Sequence, residues 1–231
     1  MANFAFVRSV GTPVTATGTT VTFTVGASGA ASGDLLGVYV ASTTATNATG
    51  ITDTGGNVYA LARGVTAAGI DGEVWVSRLG FALVSTNTIV VAFSGSQAAS
   101  VAVLEFSGGA GSSVDGTNAG TNTADVTPAS TLTPTATNAL VLGLRCHAAS
   151  GTEDVTSTNY TAGANKASSI PSLYAEYSIL TTAAARTLSG QWSVSGANAS
   201  VNVAMFNIVP VPTVAYARAA MTVRNNRRIL L

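Results

Sequence analysis

The stretch that decides the fold is Ser94-Gly-Ser-Gln-Ala-Ala-Ser-Val-Ala-Val-Leu-Glu-Phe106. It recurs with changes as Ser195-Gly-Ala-Asn-Ala-Ser-Val-Asn-Val-Ala-Met-Phe206. Each copy begins with the turn dipeptide Ser-Gly and continues into apolar residues of high β-propensity. The closing phenylalanines lie 100 residues apart. A fixed internal period of this kind predicts that a whole structural module is repeated in the chain.

Further matching motifs precede each copy of that stretch in the same order. The first half holds Gly33-Asp-Leu-Leu-Gly-Val-Tyr39, Thr52-Asp-Thr-Gly-Gly-Asn-Val-Tyr59 and Gly72-Glu-Val-Trp-Val-Ser77. The second half holds Asn138-Ala-Leu-Val-Leu-Gly-Leu144, Thr158-Asn-Tyr160 and Ser172-Leu-Tyr-Ala-Glu-Tyr177. We therefore predict an internal duplication of about 100 residues, with copies at about 1–107 and 125–209.

Strand patterns dominate the chain, and helical patterns are nearly absent. Thr20-Val-Thr-Phe-Thr-Val25 alternates hydroxyl and apolar residues, which is typical of a half-buried strand. We predict two further strands, Thr88-Ile-Val-Val-Ala-Phe93 and the strand ending at Phe106, joined by Ser94-Gly-Ser-Gln. In the second copy, the strand equivalent to the first of these is predicted at Arg186-Thr-Leu-Ser-Gly-Gln-Trp-Ser-Val194. The segment 107–134 is predicted to be a loop between the copies. Many short strands at regular spacing indicate an all-β sandwich or barrel.

Two all-β architectures remain open. Each copy has enough predicted strands to form its own small sandwich, or the copies interlock as halves of one jelly-roll-like antiparallel β-sandwich. The second copy lacks a clear equivalent of residues 4–10, and the strands are short. We therefore favour one duplicated, interlocked β-sandwich over residues 1–212, followed by an extended C-terminal arm.

The composition is unusually poor in charge. Of 231 residues, 47% are hydrophobic, as in a packed core, but only 9% are charged, against about a quarter in typical domains. A surface of Ser, Thr, Ala, Asn and Gly costs little to desolvate, which suits permanent contact with other subunits or a Thr-rich extracellular β-protein. No apolar stretch is long enough for a transmembrane helix, and the start lacks the pattern of a signal peptide. We predict no membrane partner.

The C-terminal segment 213–231 departs from this composition. It follows Val209-Pro-Val-Pro212, holds four arginines and no acid, and leaves the preceding residues with a net charge of −4. Its mixture of arginine and aliphatic side chains predicts an arm that binds a protein groove rather than nucleic acid, which would favour more bases and fewer aliphatics. The predicted partner-binding residues are Arg218, Arg224, Arg227, Arg228, Ile229, Leu230 and Leu231.

The chain offers little catalytic chemistry. Its single cysteine and single histidine, Cys146 and His147, are neighbours on a predicted strand, so their side chains point to opposite faces and cannot easily pair. No second His or Cys completes an ordinary zinc site. The ten acids fit turns and strand surfaces, and nothing in their spacing forces two into a glycosidase cleft. We predict no enzyme, no metal and no cofactor.

Two weaker patterns also favour structural roles. Asp53-Thr-Gly-Gly-Asn57 lacks the spaced oxygen ligands of an EF-hand, and is predicted to be a glycine turn. Trp75, Trp192 and five tyrosines could form a sugar-stacking platform. Their positions within strand repeats favour core packing, and we expect both tryptophans in the core.

The order of these motifs resembles a β-sandwich module of tailed-bacteriophage virion proteins, which also occurs in some bacterial surface proteins. The resemblance spans about residues 15–208. It is carried by Thr52-Asp-x-x-Gly-Asn-x-Tyr59, Glu73-Val-Trp-Val, Ser94-Gly-(x)4-Ser-Val-Ala-Val-Leu-Glu-Phe-Ser-Gly108 and Asn138-Ala-Leu-Val-Leu-Gly143. It implies a structural or adhesive module without catalytic residues. The arginine-rich arm is not part of the pattern.

These observations lead to a functional hypothesis. The chain is expected to be a non-enzymatic virion structural protein, assembled in the host cytoplasm, most specifically a capsid cement or decoration protein. Its expected partners are the major capsid protein or tail proteins, and further copies of itself. The alternative is a tail, fibre or baseplate component with a carbohydrate-binding face.

Overall fold

A computed structural model describes residues 3–43, 47–67, 69–108, 112–122, 129–150, 156–167, 169–190 and 192–207. The strands of the first half are β1 (Ala5–Ser9), β2 (Val14–Thr24), β3 (Leu35–Ser42), β4 (Ala48–Asp53), β5 (Ala60–Ala67), β6 (Ile70–Arg78) and β7 (Thr88–Ser107). Those of the second half are β8 (Ser112–Asn122), β9 (Ser130–Leu132), β10 (Ala139–His147), β11 (Thr161–Lys166), β12 (Ser172–Ile179), β13 (Arg186–Leu188) and β14 (Asn198–Asn207).

The fold is all-β, as the sequence predicts, and every strand pair is antiparallel. No α-helix occurs in the described part of the chain, and so none there could cross a membrane. Antiparallel pairing needs only short connections, which agrees with the frequent Gly, Asn and Ser turns.

The first sheet runs β1-β7-β3-β6-β5 and folds over on itself. The long strand β7 causes this, because its two halves have different neighbours. Residues 89–93 pair with β4, whereas residues 99–106 pair with β3. Strand β2 follows both halves of β7 and passes between the two layers with it. The layers enclose an apolar core that includes Phe23, Val38 and Ile89.

The second sheet runs β11-β12-β10-β14-β8. A two-stranded sheet of β9 and β13 covers part of its outer face, where Val141, Tyr160 and Leu188 form a small core. The inner face packs against the first sheet. The largest core of the molecule lies between them and draws on both halves, from Tyr39 and Leu104 to Leu142 and Val201.

Two glycines let the large sheets approach closely. A Cβ added at Gly72 of β6 would lie 2.8 Å from Cys146 Sγ and 3.7 Å from the Cβ of Ala199, and one at Gly37 of β3 would lie 3.3 Å from Leu142. These contacts fix the relative direction of the sheets. Because Gly72 faces the start of β14 and Gly37 faces the early part of β10, β6 and β14 run in the same direction across the shared core.

Replacing Gly72 by alanine is therefore expected to lower the free energy of unfolding by about 1–3 kcal/mol, because the added methyl overpacks the shared core. The matched control is Gly50→Ala in β4, where a Cβ meets nothing within 4 Å. The measurement is urea unfolding of both variants. Equal stabilities would contradict close packing of the sheets at Gly72.

Three predictions about individual strands are wrong. The connection at residues 94–97 is not a turn between two strands, because β7 continues through it with Ser94, Gly95 and Ser96 exposed. The segment 107–134 is not only a loop, because it forms β8 and β9. The strand predicted from Arg186 to Val194 ends at Leu188, and the described residues beyond it are irregular until β14.

All described strand pairs lie within one half of the chain, and the halves meet through side chains. Strand pairing within each half is what two tandem units would show. A core shared between the halves is what interdependent halves would show. The jelly-roll connectivity, the duplication and the division at residue 212 stay predictions.

Candidate functional site

The predicted partner-binding residues all lie outside the described residues. They are Arg218, Arg224, Arg227, Arg228, Ile229, Leu230 and Leu231. The described residues form the body of the protein, which ends at Asn207.

Cys146 and His147 point to opposite faces of β10, as predicted. The Cys146 thiol is buried in the shared core, where its closest hydrogen-bond acceptor is the Ala199 carbonyl at 3.6 Å. Burial raises the pKa of this thiol far above its ordinary value. His147 is buried on the other face, 5.4 Å from the ring of Trp192, and burial lowers its pKa. A protonated thiol and a neutral imidazole on opposite faces cannot form a nucleophile–base pair.

Two acids lie side by side on the outer face of β6. Glu73 is fully buried and accepts hydrogen bonds from the Trp75 indole at 2.6 Å and from the Ala48 amide at 3.0 Å. Asp71 accepts one from the Thr66 hydroxyl at 2.7 Å and also hydrogen-bonds Glu73. Burial raises the pKa of Glu73 to about 7, and it also raises that of Asp71. Through Ala48, the pair fastens the start of β4 to β6.

The raised pKa of Glu73 predicts a pH-dependent stability. Between pH 4.5 and 7 the folded protein holds a proton on Glu73 that the unfolded chain releases, so the stability that Glu73 contributes is fully present below pH 4.5 and is lost as the pH rises to 7. The decline should amount to as much as about 3 kcal/mol. Urea unfolding at pH 5 and pH 8 measures it, and Glu73→Gln should flatten the difference.

The control for this experiment is Asp115→Asn. Hydrogen bonds from Thr135 and Ala136 lower the pKa of Asp115 despite its slight burial, so its contribution changes only in acid. This variant should keep the wild-type slope between pH 5 and 8. A slope that survives in Glu73→Gln would assign it to another group.

The corresponding face of the second sheet holds a buried ion pair. Arg145 Nε of β10 donates to Glu176 Oε1 of β12 at 2.8 Å, and both side chains are fully buried. The amide and hydroxyl of Ser157 also donate to Glu176, and the Arg145 guanidinium lies 5.0 Å from the centre of the Tyr174 ring. Burial raises the pKa of Glu176, and the charge of Arg145 opposes that rise.

The glycine turn after β4 is closed by one carboxylate. Asp53 accepts hydrogen bonds from the Asn57 amide and side chain, each at 3.0 Å, and from the Tyr59 hydroxyl at 2.7 Å. Burial alone would raise the pKa of Asp53, but these bonds lower it. Gly56 takes the left-handed conformation that the turn needs, with φ of 78°. The motif thus has a structural role that occupies its carboxylate oxygens.

The same turn carries an exposed apolar surface that the sequence analysis did not identify. Asn57 exchanges two hydrogen bonds with the backbone of Phe81, at 2.9 and 3.1 Å, and so joins the β4–β5 loop to the β6–β7 loop. Val58, Phe81 and Val84 on these loops are 82%, 65% and 61% exposed. We name these three residues the loop-end patch. A shallow pocket of about 280 Å³ lies beside it, lined by Ala30, Leu83 and Val84 among others.

The aromatic residues considered for sugar stacking are mostly buried. Trp75 and Trp192 are in the core, which confirms the expectation for both, and Tyr39, Tyr160 and Tyr177 are buried too. Phe81 is the one aromatic side chain that is largely exposed among the described residues. In that same part of the chain, no three His, Cys, Asp or Glu side chains come together in an arrangement that could hold a metal ion.

Comparisons with protein-family models, with curated proteins and with solved structures found no match for this chain.

Proposed function

We propose that this chain is a non-enzymatic structural protein of a bacteriophage virion, and more specifically a cement or decoration protein on the capsid exterior. In this proposal the paired sheets cover joints between capsid subunits. The C-terminal arm reaches a neighbouring subunit and binds it through Arg218, Arg224, Arg227 and Arg228, with Ile229, Leu230 and Leu231 in apolar pockets. The resemblance of the motif order to phage virion modules supplies the class of protein.

The structural role is supported by the surroundings of the carboxylates, the thiol and the imidazole, which are the side chains that could act in catalysis. Each of the seven described carboxylates hydrogen-bonds a neighbouring protein group, as Glu73, Glu105 and Glu176 do in full burial. The one thiol is protonated in the core, and the one imidazole is buried. The polar groups of the body thus hold strands and loops together, which is the pattern of a scaffold.

The low charge of the chain supports permanent assembly. An uncharged polar surface loses little hydration energy when it is covered, so many weak contacts on a symmetric lattice can add up through multivalency. The carbohydrate-binding alternative depended on exposed aromatic side chains. Burial of both tryptophans leaves that alternative without its strongest stacking candidates.

We also propose that the two halves arose by duplication. The order β5-β6-β3-β7-β1 of the first sheet has the same connectivity as the order β11-β12-β10-β14-β8 of the second. Gly33, two residues before β3, and Asn138, directly before β10, share a left-handed conformation, with φ of 90° and 57°. The shared strand order, and a left-handed residue just before each central strand, support a common ancestor for the halves.

The proposal is tested by adding the purified protein to phage particles from which it has been removed. Saturable binding, with a fixed number of copies per particle, is the expected result. Failure to rebind any particle component, or turnover of a bacterial polysaccharide that is lost in Glu105→Gln or Glu176→Gln, would overturn it.

A further inference from the structure

The loop-end patch is held in place rather than merely exposed. The double hydrogen bond between Asn57 and Phe81 joins its two loops, and Asp53 in turn fixes Asn57. Apolar side chains on a preorganised support lose little conformational entropy when they bind a partner. Such a patch therefore has the properties of a binding surface.

The composition and size of the patch restrict its occupant. Residues 54–59 and 79–87, which form the two loops, contain no charged side chain, and Arg8 beside the adjoining pocket is paired with Glu105, so recognition there depends on apolar contact. Three exposed side chains amount to a few hundred Å² at most, well below the roughly 800 Å² per partner of a standard interface. The patch is too small for a stable globular partner, and it suits a short extended segment with a few apolar anchors.

The direction of β14 brings such a segment to the same end of the molecule. Strands β6 and β14 run side by side across the shared core, since Gly72 near the start of β6 faces Ala199 near the start of β14. Strand β6 ends at Arg78, just before the loop that carries Phe81 and Val84. Strand β14 therefore ends at Asn207 on the patch side, and 24 residues follow it.

The sequence after Asn207 favours a neighbouring molecule over its own patch. Pro210 and Pro212 fix their own φ angles and favour extended conformations at Val209 and Val211, so the sequence disfavours a tight reversal of the chain directly after β14. The residues beyond carry apolar side chains at intervals, among them Tyr216, Met221, Val223 and the closing Ile229-Leu-Leu231. These are anchors of the kind that the patch can accept.

We infer that the loop-end patch of one molecule binds the apolar C-terminal segment, residues 213–231, of a neighbouring copy. This inference rests on the proposed function for the closeness of the copies. It deepens that function, because the apolar pocket that receives Ile229, Leu230 and Leu231 would then belong to a neighbouring copy. Its test needs no phage particles.

The test is disulfide trapping between two cysteine variants of the full chain, Val84→Cys and Leu230→Cys, mixed at high concentration. The native Cys146 is fully buried and does not compete. A heterodimer should form in several-fold higher yield than with the matched control Ile170→Cys, which is 54% exposed in the second half of the chain. Adding Phe81→Ser to the Val84→Cys chain should reduce the yield to the control level with unchanged melting.

Two results would overturn the inference. One is a yield no greater than that of the Ile170→Cys control. The other is a disulfide that forms only within single molecules of a Val84→Cys/Leu230→Cys double variant, which would assign the patch to its own chain. If trapping succeeds but the protein fails to rebind particles, the decoration role is wrong and the inference stands. If the protein rebinds particles but trapping fails, the inference is wrong and the decoration role stands.

Discussion

Changing Glu176 to alanine is expected to lower the free energy of unfolding by about 3–5 kcal/mol, because it leaves the buried guanidinium of Arg145 without its carboxylate. Both side chains are fully buried, so water cannot replace the lost partner. The same substitution removes the acceptor of the Ser157 amide and hydroxyl. Urea unfolding at neutral pH measures the effect, and a loss below about 1 kcal/mol would mean that the pair behaves as an exposed one.

A double variant separates the charge of this pair from its packing. Replacing both partners by apolar side chains of similar size, Glu176→Leu with Arg145→Met, leaves no buried charge unpaired. Its stability should return most of the way toward that of the native protein. If the double variant is as unstable as Glu176→Ala, the pair contributes more to stability than cancelling two buried charges.

Deleting residues 213–231 is expected to abolish attachment to particles while the paired sheets remain folded. Each buried charged hydrogen bond lost at an interface weakens binding by about 2–5 kcal/mol. Changing Arg227 and Arg228 together to alanine should therefore weaken binding at least about a thousandfold. Rebinding of labelled protein to stripped particles, measured over a range of protein concentrations, gives the affinity.

The matched control for charge is Arg63→Ala with Arg78→Ala, which removes two exposed arginines from the described body. That variant should rebind as the native protein does. Full decoration by the truncated protein at moderate salt would reject the anchoring role of the arm.

The sequence predicted the fold class because the strongest signals are local. The central strands β3 and β10 follow from their apolar runs, and the Asp53 turn follows from its two glycines. The layer arrangement was harder to predict. Every residue of β3 and β10 is buried, which requires a layer on each face, but an apolar run does not say which strands supply those layers.

The missed strands have physical explanations of the same kind. Ser94 and Gly95 usually mark a chain reversal, but here the parts of β7 on either side of them pair with the same strand, β2, in one direction. Residues 93–96 therefore bulge from that pairing opposite Thr19 and do not form a turn. Strand β8 lacks an apolar alternation because it lies at a sheet edge and is held by backbone bonds to β14. Neither effect is visible without the partner strand.

The candidate site was predictable only in part. The opposite faces of Cys146 and His147 follow from strand geometry, whereas the ion pair of Arg145 and Glu176 joins residues from different strands and has no local signal. The loop-end patch was missed because Val58 and Phe81 are ordinary core residue types. Their exposure depends on the turn that Asp53 closes.

The central claim is that this chain is a structural component of a virion. The most direct measurement is the location of the protein in a density map of purified particles, checked with an antibody or a gold label on the chain. The account predicts ordered copies at fixed positions on the capsid exterior, with the paired sheets over joints between subunits. Purified infectious particles that lack the protein altogether would contradict it.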